Sequence, residues 1–137
     1  MKKRVLFICT HNSARSQMAE AFLNSHYGDR YEAQSAGIEP TEITPYAIKV
    51  MEEIGIDITK YRSKSILEFR NENFDYVVTV CDHAKESCPF FPGEKIIHEG
   101  FEDPSKFEGT EEEILAKTRR VRDEISAWIK KTFSNPA

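Results

Sequence analysis

An uninterrupted apolar run, Val5 to Ile8, is followed closely by a segment with helical spacing, Ser16 to Tyr27. Such a run is typical of a strand inside a parallel sheet whose two faces are both covered. The alternation of strand and helix continues along the chain and predicts an α/β fold: a four-stranded parallel sheet flanked by helices on both faces. The other predicted strands are residues 31–35, 74–80 and 95–98, the other helices are residues 45–54, 82–87 and 111–132, and a turn is expected at 36–37.

The size and charge of the chain narrow the class of protein. A length of 137 residues predicts one domain, residues 1–137, with 39% hydrophobic and 31% charged residues, as in globular proteins. The net charge of −4 has both signs interspersed, which gives no basis for binding nucleic acid or an anionic membrane. No apolar run approaches the ~20 residues of a membrane span. The run after the basic start is too short for a signal peptide, so a cytoplasmic protein is expected.

The three cysteines are Cys9, Cys81 and Cys88. An odd, low count argues against a structural disulfide framework and leaves reactive thiols. Cys9 and Cys81 each follow a predicted strand directly, and ligands of parallel sheets bind beyond the carboxyl ends of the strands. The loop that holds Asp103 follows a third predicted strand. We therefore expect both cysteines and this acid at one edge of the sheet.

A cysteine and an arginine, Cys9 and Arg15, enclose the loop between the first strand and the first helix. Inward N–H groups and the helix N-terminus can bind a tetrahedral oxyanion and favour a thiolate, and the arginine can bind two oxygens of that anion. Ser16 can donate its hydroxyl to the sulfur, and Asn12 can hold the loop or adopt a left-handed backbone. A buried cysteine beside a solvated arginine is the structural alternative. The residues predicted to bind the anion are Thr10, His11, Asn12, Ser13, Ala14, Arg15 and Ser16.

Cys81 and Cys88 are separated by a segment with helical character. In a regular helix their Cα atoms would lie about 10 Å apart, whereas a disulfide needs roughly 7 Å or less. They can pair only if the segment rearranges, which suggests a redox switch. Two unrelated buried cysteines are one alternative. A zinc site with His83 and His98 is another, although its spacing matches no structural zinc pattern.

The segment Val5 to Glu20, VLFICTHNSARSQMAE, resembles the active-site loop of the low-molecular-weight tyrosine phosphatase fold. Thr10 and the run Ser16 to Glu20 are similar to its thioredoxin-coupled arsenate reductase branch. The resemblance covers nearly the whole chain. It continues through residues 35–37, 55–58, 77–81, 88–89, 100–104 and 109–113.

The resemblance implies that arsenate is reduced to arsenite, with Cys9 as nucleophile and Asp103 as general acid. It implies that Cys81 and then Cys88 resolve the oxidised sulfur and that thioredoxin regenerates the enzyme. A phosphatase acting on phosphotyrosine proteins is the alternative, although Ser105 stands where tyrosine-specific relatives tend to have an aromatic residue. A non-enzymatic phosphocysteine carrier is the third hypothesis, but such a carrier needs neither Arg15 nor the pair Cys81 and Cys88.

The arsenate reductase branch often carries a potassium site behind the loop. Asn12, Glu20 and Ser35 match three of its side-chain ligands, but the fourth, usually acidic, aligns near Ser63-Lys64-Ser65. Since a lysine there would oppose a bound cation, we expect either no potassium or its replacement by the ammonium of Lys64. No other cofactor is expected. His11 stands where the branch commonly has glycine and is expected to line the loop.

Overall fold

Four parallel strands form one sheet in the order β2-β1-β3-β4 in the computed structural model, which describes residues 2–81 and 93–134. This confirms the predicted α/β class and strand number. The strands are β1 (Lys3–Cys9), β2 (Tyr31–Gly37), β3 (Tyr76–Thr79) and β4 (Lys95–His98). The α-helices are α1 (Arg15–Tyr27), α2 (Pro45–Glu52) and α3 (Glu111–Phe133), and 3₁₀ helices span Ile66–Phe69 and Pro104–Lys106.

The two faces of the sheet are covered by different kinds of helix. Side chains of β1 alternate, so Val5 and Phe7 join the large core that includes buried residues of α1, α2 and α3. Leu6 and Ile8 point to the opposite face and pack in a second cluster with Phe69 of the first 3₁₀ helix. Burial on both faces explains why the strand is uninterruptedly apolar.

Local signals in the sequence account for most helix boundaries. The hydroxyl of Thr44 accepts a hydrogen bond from the first turn of α2, which starts at Pro45. At the start of α3, Thr110 and Glu113 form the predicted capping box. The predicted helix 45–54 was two residues too long, because α2 ends at Glu52.

Two further predictions differ from the structure. The predicted turn at 36–37 is wrong, because β2 continues through both residues. The predicted strand 74–80 is shorter, Tyr76–Thr79. The predicted helix 82–87 lies outside the described residues, as do His83 and Cys88. No helix of the described ranges has the length and apolar character that a membrane crossing requires.

Candidate active site

Cys9 is the last residue of β1, and Arg15 is the first residue of α1, so the predicted loop joins the carboxyl end of a strand to a helix N-terminus. Both side chains are almost completely buried. The backbone N–H of Asn12 donates to Cys9 Sγ at 3.2 Å, and Ser16 Oγ lies 2.9 Å from the same sulfur. A backbone N–H and a hydroxyl of the loop therefore both reach the sulfur.

The hydrogen bonds behind the loop fix the direction of the Ser16 hydroxyl. Asn12 Nδ2 donates to Ser16 Oγ at 2.6 Å, so that oxygen accepts from the amide and keeps its own proton for Cys9 Sγ. Asn12 Oδ1 accepts from the backbone N–H of Lys64 and from Gln17 Nε2, each at 2.8 Å. These contacts hold Asn12 in its left-handed conformation, with φ of 52°. Asn12 thus forms hydrogen bonds through its side-chain amide and also has a left-handed backbone conformation.

The outer side of the loop is bonded to residues 39–44. The N–H of Glu39 donates to the carbonyl of Thr10 at 2.9 Å, and the N–H of Thr44 donates to the carbonyl of Ser13 at 3.1 Å. His11 Nδ1 donates to the Glu39 carbonyl at 3.0 Å, because a carbonyl can only accept. His11 therefore ties the loop to this neighbouring segment. Among the described non-glycine residues only Asn12 has a positive φ, so His11 is not the left-handed residue of the loop.

Asp103 and Arg15 lie together, as their predicted places at one edge of the sheet require. Arg15 Nη2 is 3.5 Å from Asp103 Oδ2, and both side chains are more than nine-tenths buried. The other carboxylate oxygen, Oδ1, accepts from the N–H and the hydroxyl of Ser105 at 2.9 and 2.8 Å. Arg15 Nη1 donates to the carbonyl of Phe101 at 3.2 Å. The carboxyl group is thus anchored by one oxygen and presents the other to the arginine.

Cys81 follows β3, which is the direct neighbour of β1 in the sheet. It is fully buried, and its Sγ lies 3.9 Å from the carbonyl oxygen of Ile8, the residue before Cys9. Cys9 and Cys81 are thus two buried cysteines at neighbouring strand ends. Cys88, the third predicted thiol, lies outside the described residues, so the structure gives no contact for it.

The zinc alternative depends on four side chains, of which Cys81 and His98 lie within the described residues. There, His98 Nδ1 pairs with the hydroxyl of Thr79 at 2.6 Å. Across residues 2–81 and 93–134, no group of three or more His, Cys, Asp or Glu side chains is arranged to hold a metal ion.

The residues predicted to match a potassium site form a buried group behind the loop. Ser35 Oγ donates to Glu20 Oε1 at 2.5 Å, and Lys64 Nζ lies 3.7 Å from the same oxygen. Burial raises the pKa of Glu20, and the neighbouring Lys64 charge and the Ser35 hydrogen bond act in the opposite direction. With an ammonium beside the carboxylate and Asn12 Oδ1 already bonded twice, these residues do not fit potassium.

The sequence reasoning missed three residues that support the site. A Cβ on Gly37 would lie 2.8 Å from the Thr10 carbonyl oxygen, so only glycine fits beneath the loop. Gln17 is fully buried and braces Asn12, and Ser105 anchors the Asp103 carboxyl group. A polar glutamine on the buried face of α1 was the one signal visible in the sequence.

Comparisons with known proteins extend over nearly the whole chain. Residues 4–134 match the family described as low molecular weight phosphotyrosine protein phosphatase. An arsenate reductase from Halalkalibacterium halodurans is 49% identical over 97% of this chain and 96% of its own length. A solved arsenate reductase in the phosphate binding state has a TM-score of 0.82 and 30% identity, over 96% of this chain and 97% of that one. A thioredoxin-dependent arsenate reductase from Corynebacterium glutamicum has a TM-score of 0.61 and 29% identity, over 96% of this chain and 63% of that one.

Proposed function

This chain belongs to the low molecular weight phosphotyrosine protein phosphatase family, and within that family we propose that it is an arsenate reductase with a three-thiol relay. The family and fold expected from the sequence are confirmed by the matches along the chain. One observation carries the proposal beyond the shared fold: Cys81 is a second buried cysteine, at the end of the strand beside Cys9. Such a thiol serves reduction of the substrate and has no role in ester hydrolysis.

The first step joins arsenate to Cys9. The loop N–H groups and the Arg15 guanidinium bind the tetrahedral anion, whose oxygens match the planar fork of donors. The Cys9 thiolate attacks arsenic, and a sulfur–arsenic bond replaces one arsenic–oxygen bond. Asp103 gives its proton to the departing oxygen, which leaves as water. The placement of Asp103 Oδ2 at 3.5 Å from Arg15 Nη2 supports this role, because the acid then lies at the edge of the anion site.

The second step reduces arsenic. The Cys81 thiolate attacks Cys9 Sγ, the sulfur–arsenic bond breaks, and its electron pair stays on arsenic. Arsenite leaves, and the two sulfurs are oxidised to a Cys9–Cys81 disulfide. The 3.9 Å separation between Cys81 Sγ and the Ile8 carbonyl supports this step, since it places the second sulfur next to the backbone of the nucleophile.

The third step frees the nucleophile. The Cys88 thiolate attacks Cys81, so the disulfide moves to Cys81–Cys88 and Cys9 leaves as a thiolate. A thioredoxin dithiol then reduces the disulfide, in line with the dependence named for the relative from C. glutamicum. Continuous turnover needs a compartment that keeps thioredoxin reduced, which favours the cytoplasm.

Phosphatase activity is the second candidate, and the family match favours it. Cys9, Arg15 and Asp103 would suffice for hydrolysis of a phosphate ester, since a thiolate, an anion clamp and an acid are all that the chemistry needs. The relay adds nothing to that reaction. The kcat/KM for thioredoxin-dependent arsenate reduction should therefore exceed that for p-nitrophenyl phosphate hydrolysis, and the reverse order would favour the phosphatase.

The relay is tested with Cys88→Ser and Cys81→Ser variants supplied with arsenate, thioredoxin and thioredoxin reductase. Cys88→Ser should release one arsenite per enzyme and stop with a Cys9–Cys81 disulfide, identified by mass mapping. Cys81→Ser should release no arsenite by this route. Full multiple turnover by Cys88→Ser would refute the relay. A glutathione adduct on Cys9 after turnover with glutathione present would also count against it.

A further inference from the structure

Five polar side chains form a buried group beneath the anion loop, here called the rear cluster. Each side chain is exposed by 9% or less. Such burial is unusual for the two ionisable members. Its two charged members are Glu20, from α1, and Lys64, from the segment that precedes the first 3₁₀ helix. The rear cluster consists of Asn12, Gln17, Glu20, Ser35 and Lys64.

The charges of the rear cluster neutralise each other. A buried carboxylate is stable only with a cation and hydrogen-bond donors around it. Glu20 Oε1 has both, because Ser35 Oγ donates at 2.5 Å and Lys64 Nζ lies at 3.7 Å. The ammonium also donates to the Arg62 carbonyl at 3.3 Å. Lys64 thus supplies the positive charge that Glu20 requires.

Three oxygens of the rear cluster, Asn12 Oδ1, Glu20 Oε1 and Ser35 Oγ, are already engaged, which leaves no coordination shell for a second cation. Asn12 Oδ1 accepts two hydrogen bonds, and Glu20 Oε1 faces a hydroxyl and an ammonium. Gln17 Oε1 is the one buried side-chain oxygen or nitrogen of the described residues with no hydrogen-bond partner. A single oxygen cannot replace the several oxygen ligands that a hard cation takes.

Lys64 also connects to the nucleophile through a continuous series of hydrogen bonds. Its backbone N–H donates to Asn12 Oδ1 at 2.8 Å, Asn12 Nδ2 donates to Ser16 Oγ at 2.6 Å, and Ser16 Oγ lies 2.9 Å from Cys9 Sγ. The ammonium of Lys64 pairs with Glu20, and the backbone N–H of Lys64 donates to Asn12. One residue therefore connects the charged part of the rear cluster to the anion loop. We propose that Lys64 is the built-in cation of the rear cluster and positions Asn12, Ser16 and Cys9 without bound potassium.

The ion dependence of thermal unfolding tests the cation role on the full chain, with potassium, sodium and choline chloride at equal ionic strength. The unaltered protein should have the same Tm in all three salts. Lys64→Asp places a second carboxylate beside Glu20, Ser35 and Asn12, which creates an oxygen-rich set. The Tm of this variant should be higher in potassium chloride than in sodium or choline chloride. A potassium-specific increase in the unaltered protein would overturn the proposal, as would a Lys64→Asp variant with no response.

Charge removal tests whether Lys64 neutralises Glu20. Lys64→Met leaves a buried carboxylate unpaired and should lower Tm by roughly 10 °C. The double variant Lys64→Met/Glu20→Gln removes both charges and should recover most of that loss. Lys60→Met, at a nearby exposed lysine, is the matched control and should leave Tm unchanged. Equal Tm values for Lys64→Met and the unaltered protein would refute the charge role.

Positioning is tested by the rate at which iodoacetamide alkylates Cys9 at one fixed pH, followed by peptide mass mapping. Lys64→Met should slow alkylation about 3- to 10-fold, and Lys64→Arg should restore it to within about 2-fold. An unchanged rate in Lys64→Met would show that the loop does not depend on the ammonium. None of these measurements uses arsenate, so their outcome is independent of the proposed reductase activity.

Discussion

Substitution of Gly37 by alanine should displace the anion loop and weaken its function while leaving the fold intact. Gly37 ends β2 and is the register partner of Cys9 in the neighbouring strand. An added Cβ would lie 2.8 Å from the Thr10 oxygen, 2.9 Å from the Asn12 nitrogen and 3.0 Å from the Cys9 oxygen. All three are backbone atoms, so no side-chain rotation relieves the contacts. The loop must move by roughly 0.5 Å to restore ordinary packing distances.

The expected losses follow from that displacement. Overpacking at a close-packed position destabilises by about 1–3 kcal/mol, which lowers Tm by roughly 3–10 °C for a domain of this size. A misplacement of about 1 Å can reduce rates by 10²-fold, so half that shift should reduce kcat/KM roughly 10-fold. Thermal unfolding with and without inorganic phosphate, and kcat/KM for arsenate, measure the two effects. In Gly37→Ala, phosphate should raise Tm by less than it does in the unaltered protein, in parallel with the lower kcat/KM.

A second glycine separates loop displacement from general destabilisation. Gly55 has a φ of 82°, and a Cβ there would meet no atom within 4 Å. Gly55→Ala should therefore destabilise by about 1 kcal/mol through backbone strain alone. Its kcat/KM should equal that of the unaltered protein. If Gly37→Ala also retained full kcat/KM, the close approach of Gly37 to the loop would have no catalytic meaning, and the reasoning would be refuted.

Three other substitutions probe single contacts. Ser16→Ala removes the hydroxyl at 2.9 Å from Cys9 Sγ and should lower kcat/KM roughly 10-fold, as steady-state kinetics can show. It also leaves Asn12 Nδ2 without its buried acceptor, so Tm should fall by roughly 3–10 °C in thermal unfolding. Asp103→Asn should lower kcat by roughly 10²- to 10³-fold for arsenate and p-nitrophenyl phosphate alike, while phosphate still raises Tm; an unchanged kcat would exclude it as the acid. The hydrogen bond from Arg119 lowers the pKa of Glu53, so its contribution to stability is present above the unfolded pKa and lost as pH falls through the lower folded value. Glu53→Gln should therefore be less stable than the unaltered protein at pH 7, and the difference should disappear once the pH falls below the lowered pKa of Glu53; a difference independent of pH would contradict this.

The elements that the sequence predicted well are those with local causes. The run Val5 to Ile8 had to be an interior strand because no polar residue interrupts it, and the structure buries every member. The capping box at Thr110 and the proline at the start of α2 likewise depend only on neighbours in the chain. The approach of Asp103 to Arg15 followed from one topological rule, that the carboxyl ends of parallel strands share an edge.

The contacts that sequence reasoning missed are set by pairing between distant segments. Gly37 looked like a turn because small residues favour turns, yet its role depends on the register that places it opposite Cys9. Ser105 anchors Asp103 through a 3₁₀ helix of only three residues, too short for any periodicity to indicate. Gln17 braces a residue five positions earlier, which becomes its neighbour only once Asn12 adopts the left-handed conformation.

The loop is held in place before any anion arrives, and this determines where the charge of the site lies. Lys64 and Glu20 cancel behind the loop, so the attraction for an oxyanion in a chain of net charge −4 comes from Arg15 and the N-terminus of α1. Asp103 faces that same guanidinium at 3.5 Å and, as a carboxylate, competes with the substrate for it. In the reaction that we propose, the proton that Asp103 holds for the departing oxygen also removes this competition while the anion binds. The proposed acid role of Asp103 and the proposed binding of the anion by Arg15 therefore require the same form of this side chain.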